Sequence, residues 1–327
     1  MSYASLLPLL KKTGSVLSVE EFQARINVVF HDHEALYYDS IHQDMWENLQ
    51  EQINLLVTDW LDFKIPSPNL SLLDIGCGTG LSTQKLLHSP IGEYINQVTL
   101  LDTSSIMLQQ AEAKAKIWNK KYTLINSDVS TLNNLFDVII VCSVLHHIPE
   151  LQPFLNKVDA LLKPGGIFIH LQDPNGDYLQ DTQYIKRLGA FEAYSNKTHQ
   201  KKNIAKYIPK SWKHFINRNL GRKNYIDHIN DQLVVEKVIR KRMTADEIWS
   251  VTDIHVENKH NALNKGISFE FLKDHLPNFQ LIKQRSYAFY SVLKSDLPEE
   301  LKSNEDQFIA QNELNGRNIS CIWIKNK

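Results

Sequence analysis

Residues 71–80 of the chain, Ser-Leu-Leu-Asp-Ile-Gly-Cys-Gly-Thr-Gly, join a short apolar run to an acid and three glycines spaced two apart. Leu72, Leu73 and Ile75 predict a buried strand of a parallel sheet, because such strands are apolar on both faces. The glycines predict a turn at the carboxyl end of that strand, where a backbone without Cβ lets a ligand approach closely. Thr79 and the amphipathic run after it predict a helix whose free amides face the same crevice.

A second apolar run, Val98 to Leu101, ends at Asp102, about 20 residues beyond the last glycine. A carboxylate at the end of a strand can accept two hydrogen bonds from the neighbouring hydroxyls of a ribose. A glycine-rich turn alone also arises for steric reasons, so the acid is what indicates a nucleoside ligand. Because the carboxyl ends of parallel strands meet at one edge of a sheet, we expect Asp102 to lie beside Gly78.

Five segments together resemble the class I S-adenosylmethionine-dependent methyltransferases. They are LLDIGCGTG at 72–80, LLDTSSIML at 100–108, NSDVSTL at 126–132, FDVIIVCSVLHHIPE at 136–150 and LLKPGGIFI at 161–169. Their Gly-x-Gly-x-Gly spacing differs from the Gly-x-Gly-x-x-Gly of pyrophosphate-binding dehydrogenases. The resemblance implies S-adenosylmethionine as the cofactor. It also implies a Rossmann-like α/β fold, a doubly wound and mainly parallel seven-stranded sheet with N-terminal helices and a helical insertion after the fifth strand.

The resemblance further implies which residues bind the cofactor. Asp102 would hold the ribose, and Asp128 would meet the adenine amino group next to Val129. A second interpretation of Asp128 stays open, because a short acid often caps a turn with its own side chain. The other implied cofactor residues are Asp74, Gly76, Cys77, Gly78, Gly80, Thr103, Met107 and Ser143.

Strands and helices alternate along the middle of the chain, which favours a doubly wound sheet. The pattern predicts strands over 71–76, 97–102, 122–126, 136–142 and 166–171, and helices over 80–88, 104–118 and 151–162. Lys163-Pro164-Gly165-Gly166 supplies a stop signal before the fifth strand. The segment that begins at Leu276 predicts a sixth strand running to Tyr290, and residues 318–324 predict a closing antiparallel strand.

The 327 residues suit one α/β core with appended segments. Hydrophobic residues make up 43% of the chain, the formal charge is −1, and no apolar run is long enough to cross a bilayer. The start, MSYASLLPLLKKTG, places apolar residues before lysines, so we expect no secretory signal. Cys77, Cys142 and Cys321 form no Cys-x-x-Cys pair, and we expect reduced thiols in a cytoplasmic protein.

The N-terminal region, residues 1–66, predicts two helices over 18–33 and 42–62. The stretch HDHEALYYDSIHQDMW at 31–46 is dense in histidine, tyrosine and acid. By the resemblance, this region covers the cofactor as a lid, and Tyr38 contacts the methionine end. A pair of docking helices with a polar hinge is the alternative, because aromatic and polar clusters commonly pack at domain edges.

The loop after the fourth strand contains the catalytic candidates, His146 and His147. A histidine beside the sulfonium can take a proton at neutral pH from the hydroxyl or amine that is methylated. Paired histidines before a helix can also serve only to hydrogen-bond the backbone, and that interpretation stays open. Asp173 and Asn175, after the fifth strand, border the same crevice and can bind substrate or simply turn the chain.

Positive charge is concentrated between residues 176 and 265, where the alternation stops. Residues 197–242 contain 13 lysines and arginines against 3 acids. This insertion can bind an anionic partner, such as a phosphate-bearing small molecule or an acidic carrier protein, or it presents a solvated helical face. It has no known nucleic-acid-binding motif, which disfavours RNA.

Thr244 and Glu247 form a capping box, and the helix that it predicts leads into Asp253 and His255. His255 is a candidate for substrate binding. Asp253 and His255 could also hold a metal together with His147, but Asp-x-His lacks the third or fourth ligand that such sites need. We therefore predict no metal site.

The sequence predicts an enzyme that transfers a methyl group from S-adenosylmethionine to oxygen or nitrogen of a small or carrier-bound molecule. Residues 67–175 would form the cofactor-binding core and 176–265 the substrate side, with 266–327 completing the sheet. Two alternatives stay open: an RNA or protein methyltransferase that docks through the basic insertion, and an inactive partner subunit that binds the cofactor. Cys-Ser-Val-Leu-His-His after the fourth strand replaces the Asn/Asp-Pro-Pro-Tyr of RNA and protein methylators and favours small molecules. We predict no membrane contact.

Overall fold

The computed structural model describes residues 3–41, 43–63, 67–178, 181–198, 224–256 and 266–327. Their strands are β1 (Leu70–Ile75), β2 (Ile95–Asp102), β3 (Lys121–Asn126), β4 (Phe136–Cys142), β5 (Leu162–Pro174), β6 (Phe279–Tyr287) and β7 (Asn318–Lys325). They form one seven-stranded sheet in the order β3-β2-β1-β4-β5-β7-β6. The first five strands are parallel, and β7 runs antiparallel to both β5 and β6. The predicted fold class is confirmed.

Helices cover both faces and one edge of this sheet. They are α1 (Leu7–Thr13), α2 (Val19–Glu34), α3 (Tyr38–Ile41), α4 (Gln43–Phe63), α5 (Leu81–Leu87), α6 (Ser105–Ala115), α7 (Leu151–Leu161), α8 (Thr182–Thr198), α9 (Tyr225–Val235), α10 (Ala245–Thr252), α11 (Phe269–His275) and α12 (Glu299–Ala310). Among the described residues, no helix has the length and apolar character that crossing a bilayer requires.

Neighbouring residues of β1 point to opposite faces of the sheet, and each face has its own apolar layer. Leu72 packs with Ile53 and Trp60 of α4 on one face. Leu73 packs with Leu155 of α7 on the other face. Burying one such side chain stabilises the fold by about 1.5–3 kcal/mol. Strands that are apolar on both faces leave only their ends for polar side chains, so the chemistry collects at the strand tips.

A third apolar cluster joins the N-terminal helices to the described part of the insertion. Phe22 and Ile26 of α2 pack with Leu233 of α9 and with Ile248 and Val251 of α10. Helix α4 packs on the sheet instead. The region predicted as a lid therefore consists of two parts: the helices before α4, and α4 itself, which belongs to the core. The insertion as a unit stays a prediction, because residues 199–223 and 257–265, with most of its basic side chains, lie outside the described residues.

Two strands, β5 and β6, differ from their predicted bounds by more than two residues. β6 ends at Tyr287 instead of Tyr290, because Ala288 has a left-handed φ of +62° and its amide donates to buried Glu305. β5 begins at Leu162, directly after α7, and its register with β4 shifts between Phe136 and Val138. The predicted stop signal is therefore an irregular start of the strand.

Candidate functional site

A cavity of about 520 Å³ opens at the carboxyl ends of the parallel strands. It lies where the strand order reverses, which is where open α/β sheets bind their ligands, and its volume suits a small molecule. Among the residues predicted from the sequence, its wall contains Tyr38, Gly76, Gly78, Asp102, Thr103, Met107, Asp128, Val129, Ser143 and His147. Motifs that are far apart in sequence therefore meet in one place.

The glycine turn forms the floor of the cavity. Gly76, Gly78 and Gly80 have φ values of +67°, +52° and +80°, a region that favours glycine. A Cβ added to Gly76 would also lie 2.7 Å from Cγ2 of Val144 in the loop after β4. The Gly76 amide donates to the carbonyl of Leu101, at 2.8 Å, which fastens the turn to β2.

Asp102 bridges the first two strand tips. Its Oδ2 accepts from the Gly78 amide at 2.8 Å, and its Oδ1 accepts from the Ser104 amide at 2.8 Å. The expected proximity of Asp102 and Gly78 is thus observed. Burial raises the pKa of Asp102, although the two amides favour its charged form. Each carboxylate oxygen has a second lone pair, so the group can still accept from two hydroxyls.

Three residues predicted to contact the cofactor lie behind the turn instead. Asp74 is fully buried, and its Oδ2 accepts from the hydroxyls of Ser82 at 2.7 Å and Thr83 at 2.6 Å. Burial raises the pKa of Asp74 to about 6. Asp74, Cys77 and Gly80 do not belong to the cavity wall. We revise their prediction from direct contact to support of the turn and of the start of α5.

Asp128 caps a turn and also lines the cavity, so its predicted contact with adenine stays a prediction. Its Oδ1 accepts from the Ser130 amide at 2.8 Å, so the side chain caps the turn after β3. The residue also lines the cavity beside Val129. A carboxylate has about four acceptor positions, so the cap leaves capacity for a ligand.

Helix α2 supplies a polar wall that the sequence analysis missed. Gln23, Asn27 and His31 all line the cavity. They are spaced four residues apart, so they lie on the same face of the helix. This spacing of polar residues was the signal in the sequence that could have revealed them. The Gln23 amide donates to the carbonyl of His147 at 3.2 Å, which ties α2 to the loop after β4.

The short helix α3 is tied to the glycine turn. Oδ1 of Asp39 accepts from the Thr79 hydroxyl at 2.6 Å, and Oδ2 lies 2.7 Å from Nζ of Lys114. Tyr38, one residue earlier, lines the cavity, and burial raises the pKa of its phenol. The phenol therefore stays protonated and can donate a hydrogen bond.

His146 forms a dyad with Asp173. Its backbone amide and Nδ1 donate to Oδ1 of Asp173 at 3.1 and 2.8 Å, and Asp173 is fully buried. Burial acts to lower the pKa of His146, but the hydrogen bond and charge of Asp173 outweigh it and raise the pKa. With its proton on Nδ1, His146 presents Nε2 as a proton acceptor. It lies just behind the cavity wall, with 10% of its side chain exposed.

His147 lies on the wall itself. Its Nδ1 donates to the carbonyl of Thr252 at 2.8 Å and lies 3.3 Å from Oδ1 of Asp253. Burial and the charge of neighbouring His146 lower the pKa of His147 to about 4, so its ring is neutral at pH 7. The two imidazole centroids are 4.0 Å apart, and the His31 centroid is 5.1 Å from that of His147.

The residues predicted to bind substrate have structural partners. The Asn175 side chain donates to the carbonyls of Leu314 and Gly316, and Nε2 of His255 donates to the carbonyl of Ile148. Neither of them nor Asp173 lines the cavity. We revise these predictions as well, because the groups that would bind a substrate already hold neighbouring loops in place.

Part of the chain matches known methyltransferases in sequence. Residues 73–168 match a family model described as a methyltransferase domain. The chain is 33% identical over 134 residues to a highly reducing polyketide synthase of Calcarisporium arbuscula, covering 39% of this chain and 5% of the synthase. It is 32% identical over 102 residues to a ubiquinone biosynthesis O-methyltransferase of Rickettsia canadensis, covering 31% of this chain and 41% of that protein.

Solved structures include an S-adenosylmethionine-dependent methyltransferase from Clostridium acetobutylicum with a TM-score of 0.44 and 14% identity, covering 89% of this chain and 97% of that chain. The chain spans only a small part of the first curated relatives, 5% of the polyketide synthase of Calcarisporium arbuscula and 4% of a prosolanapyrone synthase of Alternaria solani.

Proposed function

Because the chain contains a class I S-adenosylmethionine-dependent methyltransferase domain, we propose that it transfers the methyl group of this cofactor to oxygen or nitrogen of a small or carrier-bound molecule. The observation that carries the proposal is the Asp102 carboxylate, held 2.8 Å from the Gly78 amide at the tips of β1 and β2. The bound cofactor supplies an electrophilic methyl group on a sulfonium, which leaves as a neutral thioether.

The described residues fit this cofactor. The spare lone pairs of Asp102 suit the two hydroxyls of a ribose. Gly76 and Gly78 lack Cβ, so the turn lets the methionine end approach the backbone closely, and the Tyr38 phenol on the same wall can donate to it. Asp128 and Val129 offer an acceptor and an apolar contact to the adenine.

The dyad supplies the group that removes the acceptor's proton. Nε2 of His146, with Nδ1 donating to Asp173, would take the proton of the acceptor atom. Asp173 then stabilises the imidazolium through the bond from Nδ1, because a buried carboxylate favours the charged ring. His147, whose ring is held neutral, orients the acceptor at the cavity wall. The other residues of the cavity wall position the acceptor atom in line with the methyl group and the sulfur of the cofactor.

The relatives support two acceptor classes. The ubiquinone biosynthesis O-methyltransferase supports an oxygen acceptor, and the polyketide synthases support an acceptor of polyketide type. The four-residue spacing of Gln23, Asn27 and His31 gives either class a polar face to bind. We include an anionic acceptor in the proposal because of the excess of lysine and arginine in residues 197–242.

The test has two measurements. Calorimetric titration with S-adenosylmethionine and its demethylated product should show saturable binding to a single site. Turnover against a panel of hydroxylated, amine and thioester-linked acceptors should then yield the demethylated product. Absence of binding would refute the proposal, whereas binding without turnover on any acceptor would favour the inactive partner subunit.

The dyad is tested by variants. Asp173→Asn and His146→Gln should lower kcat by about 10²–10⁴, the usual contribution of a general base, with little change in KM or in cofactor affinity. His147→Gln should raise KM more than it lowers kcat. The reverse pattern, with the larger loss of kcat in His147→Gln, would assign the base to His147.

A further inference from the structure

We propose that His146, His147 and Asp253 form a binding site for a divalent transition-metal ion, and that such an ion inhibits methyl transfer by occupying the lone pair of the base. The metal site stands on the geometry alone. The inhibition rests on the proposed function.

The three residues offer converging ligand atoms. One nitrogen of each histidine and one oxygen of Asp253 all lie within 4.8 Å of one another. Zinc bonds of about 2.0–2.1 Å place the ligand atoms of a tetrahedral site about 3.3–3.4 Å apart. Nδ1 of His147 is already 3.3 Å from Oδ1 of Asp253, while Nε2 of His146 is 3.9 Å from the same oxygen. Nε2 of His146 and Oδ1 of Asp253 must therefore approach each other by about half an ångström to reach the tetrahedral distance.

The surroundings of His146 are those of a metal ligand. Metal-bound histidines usually donate their second ring N–H to a carboxylate or carbonyl, which fixes the tautomer and aims the free nitrogen. Asp173 does this for His146 through Nδ1, at 2.8 Å. Nε2 therefore enters a coordination bond without losing a proton. His147 enters at a cost, because its Nδ1 must give up the bond to Thr252 and its proton must move to Nε2.

The local charge also favours a cation. Within the described residues, the ion pairs of these three side chains join them to one another and to Asp173, with no lysine or arginine. The carboxylates of Asp173 and Asp253, both within ion-pair distance of the histidines, therefore give this cluster a negative field. A divalent ion would relieve that field.

The ligand set selects the class of ion. Two imidazoles and one carboxylate suit Zn²⁺, Co²⁺, Ni²⁺ or Cu²⁺, whereas Mg²⁺ and Ca²⁺ prefer oxygen ligands. Three protein ligands leave a fourth coordination position for water or an acceptor, and one of the three, His147, lines the cavity. An ion there blocks Nε2 of His146 and stands where the acceptor binds. Inhibition should therefore be competitive with the acceptor and not with S-adenosylmethionine.

Metal binding is measured first, on the chelator-treated full chain. Equilibrium dialysis with Zn²⁺ and titration with Co²⁺, followed by the visible absorption of the ion, should give one ion per chain. Asp253→Asn and His147→Gln should bind at least tenfold more weakly, and Asp173→Asn about 10–100-fold more weakly, as is usual for a partner of a ligand. His88→Gln, which changes an exposed histidine at the end of α5, is the matched control and should bind like the wild type.

Three results would overturn the site. They are no saturable binding to the wild type, equal binding in Asp253→Asn and His147→Gln, or absorption bands of a cobalt thiolate, which would place the ion on a cysteine. Thermal melting of each variant excludes misfolding as the cause of weaker binding. Titration of the demethylated cofactor on the metal-free chain separates the two proposals, because the metal site can exist whether or not the cofactor binds.

Discussion

Replacing Asp102 by asparagine should weaken binding of S-adenosylmethionine and of its demethylated product about 10–150-fold. A hydrogen bond to a charged group contributes about 1.5–3 kcal/mol, and about 1.4 kcal/mol corresponds to a tenfold change in Kd. The range follows from losing the charge of a group that can accept from the ribose hydroxyls.

The structure adds a second, smaller effect that must be separated from the first. Asp102 accepts from two amides, those of Gly78 and Ser104. Asparagine has one acceptor oxygen, so its NH₂ group must face one of these amides and a hydrogen bond is lost. The variant should therefore also melt at a lower temperature, by an amount that reflects about 1–3 kcal/mol.

An analogue that lacks the ribose 2′-hydroxyl distinguishes the two effects. In the wild type, removing this hydroxyl should weaken binding about tenfold or more, because a carboxylate loses its partner. In Asp102→Asn the same removal should change Kd little. Calorimetry on the four combinations gives a coupling energy, which is the part of the effect that belongs to the contact itself.

Additive effects would contradict the reasoning. If the hydroxyl matters equally in both proteins, Asp102 only shapes the turn, and another residue binds the ribose. An unchanged Kd in Asp102→Asn would remove the cofactor assignment altogether. Asp62→Asn, at an exposed acid near the end of α4, is the control for a change of net charge.

Three further predictions follow from single contacts. Gly76→Ala should abolish saturable binding of the cofactor in calorimetry, because the new Cβ meets Val144 at 2.7 Å in a backbone region that alanine disfavours. Asp39→Asn should speed cofactor release in stopped-flow fluorescence, since it removes the ion pair with Lys114 of α6 and weakens the bond from the Thr79 hydroxyl that ties α3 to the glycine turn. Burial raises the pKa of Glu305 to about 7, so the folded state holds a proton that the unfolded state releases near pH 4.5. Stability should fall by at most about 3 kcal/mol as pH rises from 4.5 to 7, and melting curves of Glu305→Gln should show a smaller fall.

The donor half of the site was predictable because it depends on topology. Gly76, Gly78 and Asp102 each follow an apolar strand directly, and parallel strands bring their carboxyl ends to one edge whatever the loops do. Topology does not distinguish the residues that line the cavity from those that lie behind them and hold them in place. Asp74 belongs to the strand itself and is fully buried, and its Oδ2 accepts from the hydroxyls of Ser82 and Thr83.

The acceptor half was less accessible, because no single strand tip defines it. It joins α2, the loop after β4 and the end of α10, and these segments are held together by single bonds to backbone carbonyls. Gln23 donates to the carbonyl of His147, and His147 donates to the carbonyl of Thr252. A carbonyl exists at every position, so such a bond leaves no residue pattern that a sequence can show.

The two halves of the site rest mainly on different elements, and Asp32 of α2, which accepts from the Ser104 hydroxyl beside Asp102, is a direct link between them. The turn and Asp102 rest on β1 and β2, whereas the acceptor wall rests on the cluster that Phe22 and Ile26 share with α9 and α10. Small changes of volume in that cluster cost about 0.5–1.5 kcal/mol, and they shift α2 without touching a strand. Ile26→Val should accordingly change KM for the acceptor while the Kd of the cofactor stays the same. If Ile26→Val also weakened cofactor binding, the two halves of the site would be coupled and the reasoning would be wrong.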